Sequence, residues 1–246
     1  MQLPTFFHEE QHWNDNCLVF GIDEVGRGCL AGPVHASVAC FNPSIAEEVL
    51  PLKVNDSKLL SRKAREALIP HIHRLCLHHG TGSATVAEID QKGIVTAVNI
   101  AAVRALKQAL KTISGNSTGQ KNNPVRHPSP SPLPYRLIFL TDTLAFPGIS
   151  VFCNRRNIEH TQIAIPKGDT VSITIAAASV LAKVTRDGHM SQLAQQYPDY
   201  GWDTNMGYGT KKHRENLQKN GKTPHHRALF IRKILQKEGP NIVINR

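Results

Sequence analysis

The segment Leu18–Val34, LVFGIDEVGRGCLAGPV, constrains the chain more than any other stretch. Leu18–Ile22 is short, branched and bounded by turn residues, the pattern of a buried strand. It delivers two adjacent acids, Asp23 and Glu24, into a segment that holds Gly26, Gly28 and Gly32. Side chains alternate faces along a strand, so neighbouring carboxylates converge only where the strand ends or bulges. The glycines after Val25 permit such an ending. The segment reads either as a hydrated acidic turn or as the tip of a buried strand built as a site. Apolar sequence on both sides favours the site.

The chain has 246 residues, enough for one large domain or two small ones. No apolar run approaches the roughly 18 residues that span a bilayer. The N-terminus, MQLPTFFHEEQHWNDN, lacks the basic start and long apolar centre of a secretory signal. A cytoplasmic protein without membrane association is expected. Cys17, Cys29, Cys40, Cys76 and Cys153 are odd in number and form no CxxC pair, which argues against a disulfide framework and a cysteine zinc site. The formal net charge of +10 points to a polyanionic partner, most often nucleic acid. The excess is concentrated, since Arg186–Arg246 holds eleven basic side chains against five acidic ones.

Residues 1–17 show no period and are expected to form a tail. Pro33–Phe41 alternates as a strand beside Leu18–Ile22. Ser61 is placed to cap a helix that Pro70 is expected to end early. His71, His73, Cys76, His78 and His79 match no zinc spacing and are expected to flank the apolar face of Leu68, Ile72 and Leu75 on an exposed surface. Thr81–Ala87 reads as a strand, and Ile94–Ile113 as an Ala-rich amphipathic helix. The stretch 114–134, rich in Ser, Pro, Asn and Gly, is expected to be a mobile polar insertion. Arg136–Thr141 is a buried strand ending at Asp142, and Thr161–Ile165 a short one. A long helix over Val171–Gln196 is expected to be capped by Asp169 or Thr170. A glycine-rich aromatic loop over 201–209, a short basic helix and a last helix over Arg227–Lys237 follow. Strands interleaved with helices predict an α/β fold with one main sheet.

Three acidic sites stand out. Asp23 and Glu24 end one buried strand, and Asp142 ends another. Asp187 lies on the long helix, where Ser179, Lys183 and Asp187 recur every four residues on one face. Lys183 and Asp187 alone would be an ordinary ion pair. Four carboxylates at element ends can instead hold two hard divalent cations, Mg²⁺ or Mn²⁺. Two such ions about 4 Å apart activate water and stabilise the leaving oxygen of a phosphodiester. In a basic chain this predicts a metal-dependent nuclease or strand-transfer enzyme.

Four blocks in order, GIDEVGRGCLAGPV, NDSKLLS, AAASVLAKVTRD and GYGTKKH followed by TPHHR, resemble ribonuclease HII, the type 2 ribonuclease H family. The resemblance spans Leu18 to about Phe230 and implies a ribonuclease H-like fold, a central mixed sheet flanked by helices with a helical C-terminal extension. It divides the chain into the tail 1–17, a catalytic domain over 18–196 carrying the insertion, and a basic helical region over 197–246 packed on it. The implied activity is endonucleolytic cleavage of RNA in RNA–DNA hybrids, including single ribonucleotides embedded in duplex DNA, leaving 5′-phosphate and 3′-hydroxyl ends. Asp23, Glu24, Asp142 and Asp187 match the metal-binding acids, the Gly26-Arg27-Gly28 turn the substrate turn, and Tyr208 the junction-sensing tyrosine. Backbone amides of a glycine turn can approach a phosphate and a 2′-hydroxyl, the group that separates RNA from DNA. Lys58, Lys183 and the Lys211–Arg214 cluster are expected to contact phosphates. Action as a monomer, with a replication clamp as a partner, completes the expectation. The chain departs from the family pattern at Thr143, where glycine usually follows the third acid, and at Cys29.

Two rival classes are weaker. A nucleotide-dependent oxidoreductase would use the glycines and Tyr208-x-x-x-Lys212, but the glycine spacing is reversed and Asp23 and Glu24 would repel a pyrophosphate. A silent hybrid-binding protein would not need acids at all four positions.

Overall fold

The computed structural model describes residues 3–13, 17–114 and 136–236; all of the polar insertion but Ser114 lies outside them. One five-stranded mixed sheet has the order β3-β2-β1-β4-β5, formed by β1 (Cys17–Val25), β2 (Val34–Phe41), β3 (Cys76–Ala84), β4 (Arg136–Asp142) and β5 (His160–Ile165). β2 is antiparallel to β1 and β3, whereas β4 is parallel to β1 and β5. The principal helices are α1 (Arg62–Leu75), α2 (Ile94–Ser114), α3 (Ile173–Gln196), α4 (Lys211–Asn220) and α5 (Ala228–Leu235).

Period-two alternation in β1 divides the core. Phe20 and Ile22 join Ala101, Ala105 and Leu106 of α2 on one face. Val19 packs with Ile175 of α3 on the other. A methyl group at Gly21 would lie 2.1 Å from the Thr174 carbonyl carbon, so the start of α3 rests directly on β1 two residues before Asp23. Ala31, Met190, Trp202, Leu217 and Ile231 form a further cluster that joins the chain after α3 to the glycine turn.

Several local expectations change. Helix α1 runs through Pro70 to Leu75. Pro70 and Glu66, whose carbonyl loses its bond, are both exposed, so water can replace the missing donor while Leu68, Ile72 and Leu75 hold the helix down. β3 begins at Cys76 rather than Thr81, and Thr85 leaves the strand to form a capping box with Glu88 for a helix over Val86–Lys92. His78 and His79 are therefore strand residues, and His79 stacks on the ring of His73 at 4.5 Å. Ser172, not Asp169 or Thr170, caps α3 by accepting from the Ile175 amide.

Residues 3–13, expected as a tail, are packed. Phe6 is buried against Trp13 and Phe41 at 5.0 and 5.8 Å. Glu9, fully buried, accepts from Ser172 Oγ at 2.7 Å and from the Thr174 amide and hydroxyl at 3.0 and 2.7 Å. Its carboxylate meets the positive end of the α3 dipole. No helix among the described residues is long and apolar enough to cross a membrane.

Candidate active site

The sheet itself creates the acidic site. Pairing between β1 and β4 stops at Ile22 with Thr141, but β1 and β2 stay paired through Asp23 with Ser37 and Glu24 with Ala36. The two acids thus lie inside a strand that continues to Val25, where its β4 neighbour has ended. The space left by β4 replaces the strand end or bulge expected from the sequence. Asp142 terminates β4, paired with Ile165 of β5. Four residues beyond β5, Asp169 sits buried in a short turn over Gly168–Thr170.

The charges bear on one another. Burial pushes the Asp23 carboxyl up to about 8, the negative charges of Glu24 and Asp169 add to the rise, and a Ser179 hydrogen bond opposes it. Burial raises Glu24 to about 7, with Asp142 adding repulsion and Arg27, at 3.7 Å, opposing. Asp169 is also raised by burial and by Asp56 and Asp142, while Lys58 at 3.5 Å draws it down. Desolvation and like-charge repulsion act together here. The group is Asp23, Glu24, Asp142 and Asp169.

Asp187 is engaged elsewhere. Its carboxylate meets Lys183 Nζ at 2.8 Å and Arg65 Nη2 at 3.6 Å, all three side chains largely buried. Arg65 also donates to the Ser57 and Leu60 carbonyls, which ties the Asn55–Ser61 loop to α3. On the same face of α3, Ser179 donates to Ser57 Oγ at 2.9 Å. Lys183 is committed to Asp187, whereas Lys58 stays largely exposed between Asp56 and Asp169.

The glycine turn lies alongside. Gly26 adopts φ +93°, and a methyl group there would strike Arg186 Nε at 2.2 Å. Arg27 is half-exposed. Gly28 faces open space, so nothing inside the fold demands a glycine there, and a close external ligand would. Tyr208 is exposed, its ring centroid 6.0 Å from the Arg186 guanidinium and its hydroxyl against the buried Cys29 thiol.

Sequence reasoning missed Asp169 by reading it as a helix cap. The usable signal was position: Asp142 ends one parallel strand and Asp169 follows the next, at the carboxyl ends where α/β sheets place ligands. Among the described residues no three His, Cys, Asp or Glu side chains stand close enough together to hold a metal ion as placed. Asp142 Oδ1 instead accepts from the Thr143 and Gly168 amides. The donor chemistry nonetheless fits a hard cation: Asp23 is a partly buried, desolvated carboxylate that forms no ion pair among the described residues, and its neighbours include further carboxylates.

A mixed sheet with acids beyond the carboxyl ends of its parallel strands and helices on both faces is a ribonuclease H-like fold. Ribonuclease HII from Archaeoglobus fulgidus, solved in complex with PCNA, shares it at a TM-score of 0.62 and 20% identity over 91% of this chain and 98% of that one. Bst-RNase HIII, solved with Mn²⁺, shares it at 0.57 and 18% identity over 90% of this chain and 65% of that one. At the sequence level, ribonuclease HII from Thermosynechococcus vestitus is 37% identical over 97% of this chain and 95% of its own. The ribonuclease HII family model matches residues 20–118 and 151–233, which hold Asp23, Glu24, Asp169, Asp187 and Tyr208 but not Asp142. The chain belongs to the ribonuclease HII family and is an endonuclease that hydrolyses phosphodiesters.

Proposed function

We propose that the protein cleaves RNA in RNA–DNA hybrids, including a single ribonucleotide embedded in duplex DNA. Cleavage on the 5′ side of the ribonucleotide leaves 3′-hydroxyl and 5′-phosphate ends. The observation that carries this reading is the partly buried, desolvated carboxylate group around Asp23, open beside a glycine turn and an exposed tyrosine. Asp23, Glu24 and Asp142 are the expected acids, and we assign the fourth place to Asp169 because Asp187 is neutralised by Lys183 and Arg65. These four carboxylates would hold Mg²⁺ or Mn²⁺, which when bound supply water activation and stabilisation of the leaving oxygen. The Mn²⁺ in Bst-RNase HIII supports the choice of metal.

The chain supplies recognition. Amides of the Gly26–Gly28 turn approach the phosphate and the 2′-hydroxyl, with Arg27 beside them. Tyr208 stacks on the neighbouring deoxyribose and rejects a ribose there. Lys58 and the Lys211–Arg214 cluster hold flanking phosphates, which set register and affinity rather than sequence. Lys183 acts through Asp187 and not on a phosphate. Action as a monomer and a clamp partner belong to the same reading; the PCNA complex of the Archaeoglobus fulgidus relative supports the clamp.

A duplex DNA containing one ribonucleotide, incubated with and without Mg²⁺ or Mn²⁺, tests the proposal. A metal-dependent nick 5′ to the ribonucleotide is expected. Intact substrate under all conditions would overturn it.

A further inference from the structure

Arg186 and Arg227 are both fully buried, and neither forms an ion pair among the described residues. A guanidinium out of water is costly unless its donors are satisfied. Here the partners are main-chain carbonyls from two distant parts of the chain. Arg186 donates from Nε to Pro33 O at 3.0 Å, from Nη2 to Ala31 O at 3.3 Å and from Nη1 to Met206 O at 2.9 Å. Arg227 donates from Nε to Gly32 O and from Nη1 to Arg27 O, both at 2.9 Å, and its Nη2 is buried without a partner. The carbonyls are spread along a planar fork of donors that the three donors on a single lysine nitrogen cannot span, so lysine is no equivalent.

The backbone completes the seam. The Leu30 and Ala31 amides donate to Gly207 O at 2.8 and 3.3 Å, and the Arg227 amide donates to Leu30 O at 2.8 Å. Gly207 has φ +80°, and a methyl group there would lie 2.4 Å from Ala31 O. Arg186 therefore touches Gly26 on one side and underlies the Tyr208 ring on the other. His213 fixes the same loop by meeting Tyr208 O through Nδ1 at 2.9 Å.

We infer that Arg186 and Arg227 are positioning residues that lock the Gly26–Gly28 turn and the Tyr208 loop into one body. The distance between the two elements, fixed by that lock, is what makes the enzyme read a junction of one ribose and one deoxyribose. The paired buried charges also favour a phosphate over the turn. The inference rests on the function proposed above, with Tyr208 as its junction reader.

The test compares Arg186→Lys, Arg227→Lys and Tyr208→Ala on two substrates, a duplex with one ribonucleotide and a hybrid with a long RNA tract. Each lysine variant is expected to lose about tenfold or more on the single ribonucleotide and about threefold or less on the tract. In the Tyr208→Ala background the lysine substitution should leave the ratio of the two rates unchanged. Equal losses on both substrates, or a further change of the ratio in that background, would overturn the inference and leave the function standing. Wild-type protein that cleaves neither substrate would overturn the function itself. Should both lysine variants fail to fold, amide exchange on the wild type decides: Leu30, Ala31 and Tyr208 are expected to open together, and rates differing by more than about tenfold would refute a single body.

Discussion

The Gly168 amide donates to Asp142 Oδ1 at 3.1 Å, which brings Asp169, the next residue, to the end of β4. One hydrogen bond between the end of β4 and the turn that follows β5 thus gathers acids 27 positions apart in the chain.

Asp169→Asn is expected to reduce cleavage by about a hundredfold or more, with no loss of thermal stability, because a buried carboxylate under repulsion is removed. Asp187→Asn should instead lower stability by about 3 kcal/mol, since Lys183 and Arg65 lose their shared partner in a largely buried site, and should cost less than tenfold in rate. Denaturant melts and single-turnover cleavage of both variants measure this. The opposite pattern would return Asp187 to the acid set.

Asp23→Asn should abolish cleavage while hybrid binding persists, as read by a gel shift at constant salt. Equal loss of binding would contradict a catalytic role.

Without metal, the raised Asp23 carboxyl makes stability pH-dependent. The folded state holds a proton that the unfolded state has released above the ordinary carboxyl value of 3.8, so stability falls as pH rises towards about 8. Mn²⁺ at pH 8 is expected to raise the melting temperature of the wild type more than that of Asp23→Asn. An equal rise in both would remove Asp23 from the metal-binding group.

Acid should loosen the tyrosine loop. Trp202 Nε1 and His226 Nε2 both meet His213 Nε2, at 3.1 and 3.2 Å, and Thr223 N–H donates to His226 Nδ1 at 3.0 Å. Burial, with His213 and His225 adding repulsion, lowers His226 to about 4. A histidine depressed in the folded state costs stability as pH falls below its unfolded value of 6.5 towards 4. Wild-type melting temperature should therefore decline from pH 6.5 to 4.5, and His226→Gln should flatten that decline. An unchanged slope would show that another group dominates.

Glu9→Ala leaves the Ser172 hydroxyl and the Thr174 amide and hydroxyl without their shared acceptor. A loss of about 2–3 kcal/mol in a urea melt is expected. Unaltered stability would show that the N-terminal segment holds nothing in place.

Much of this fold was legible because apolar periodicity is local. β2, α2, β4 and the end of α3 lie within a residue or two of their expected bounds. The misreadings occurred where a distant partner overrides local preference. Pro70 is tolerated by a solvent-facing carbonyl, Ser172 caps α3 in place of Asp169, and Phe6 and Glu9 order a segment with no period of its own.

The amino-acid order by itself determined that Asp23 and Glu24 stand together at a glycine turn, because adjacency is covalent. It also determined that Asp142 closes a buried strand and that the chain carries a large basic excess, the charge that suits a polyanionic partner. Tertiary structure alone decided which further acid lies beside them. Asp169 and Asp187 both lie near one helix; the i,i+4 spacing of Lys183 and Asp187 allowed an ion pair but could not decide between that pair and metal ligation. Packing places Arg65 and Lys183 on Asp187 and leaves Asp169 beside Asp142. The Lys183 contact follows from helix spacing, but the approach of Arg65 to Asp187 and of Asp169 to Asp142 depends on distances between residues far apart in the chain, which only the folded chain sets.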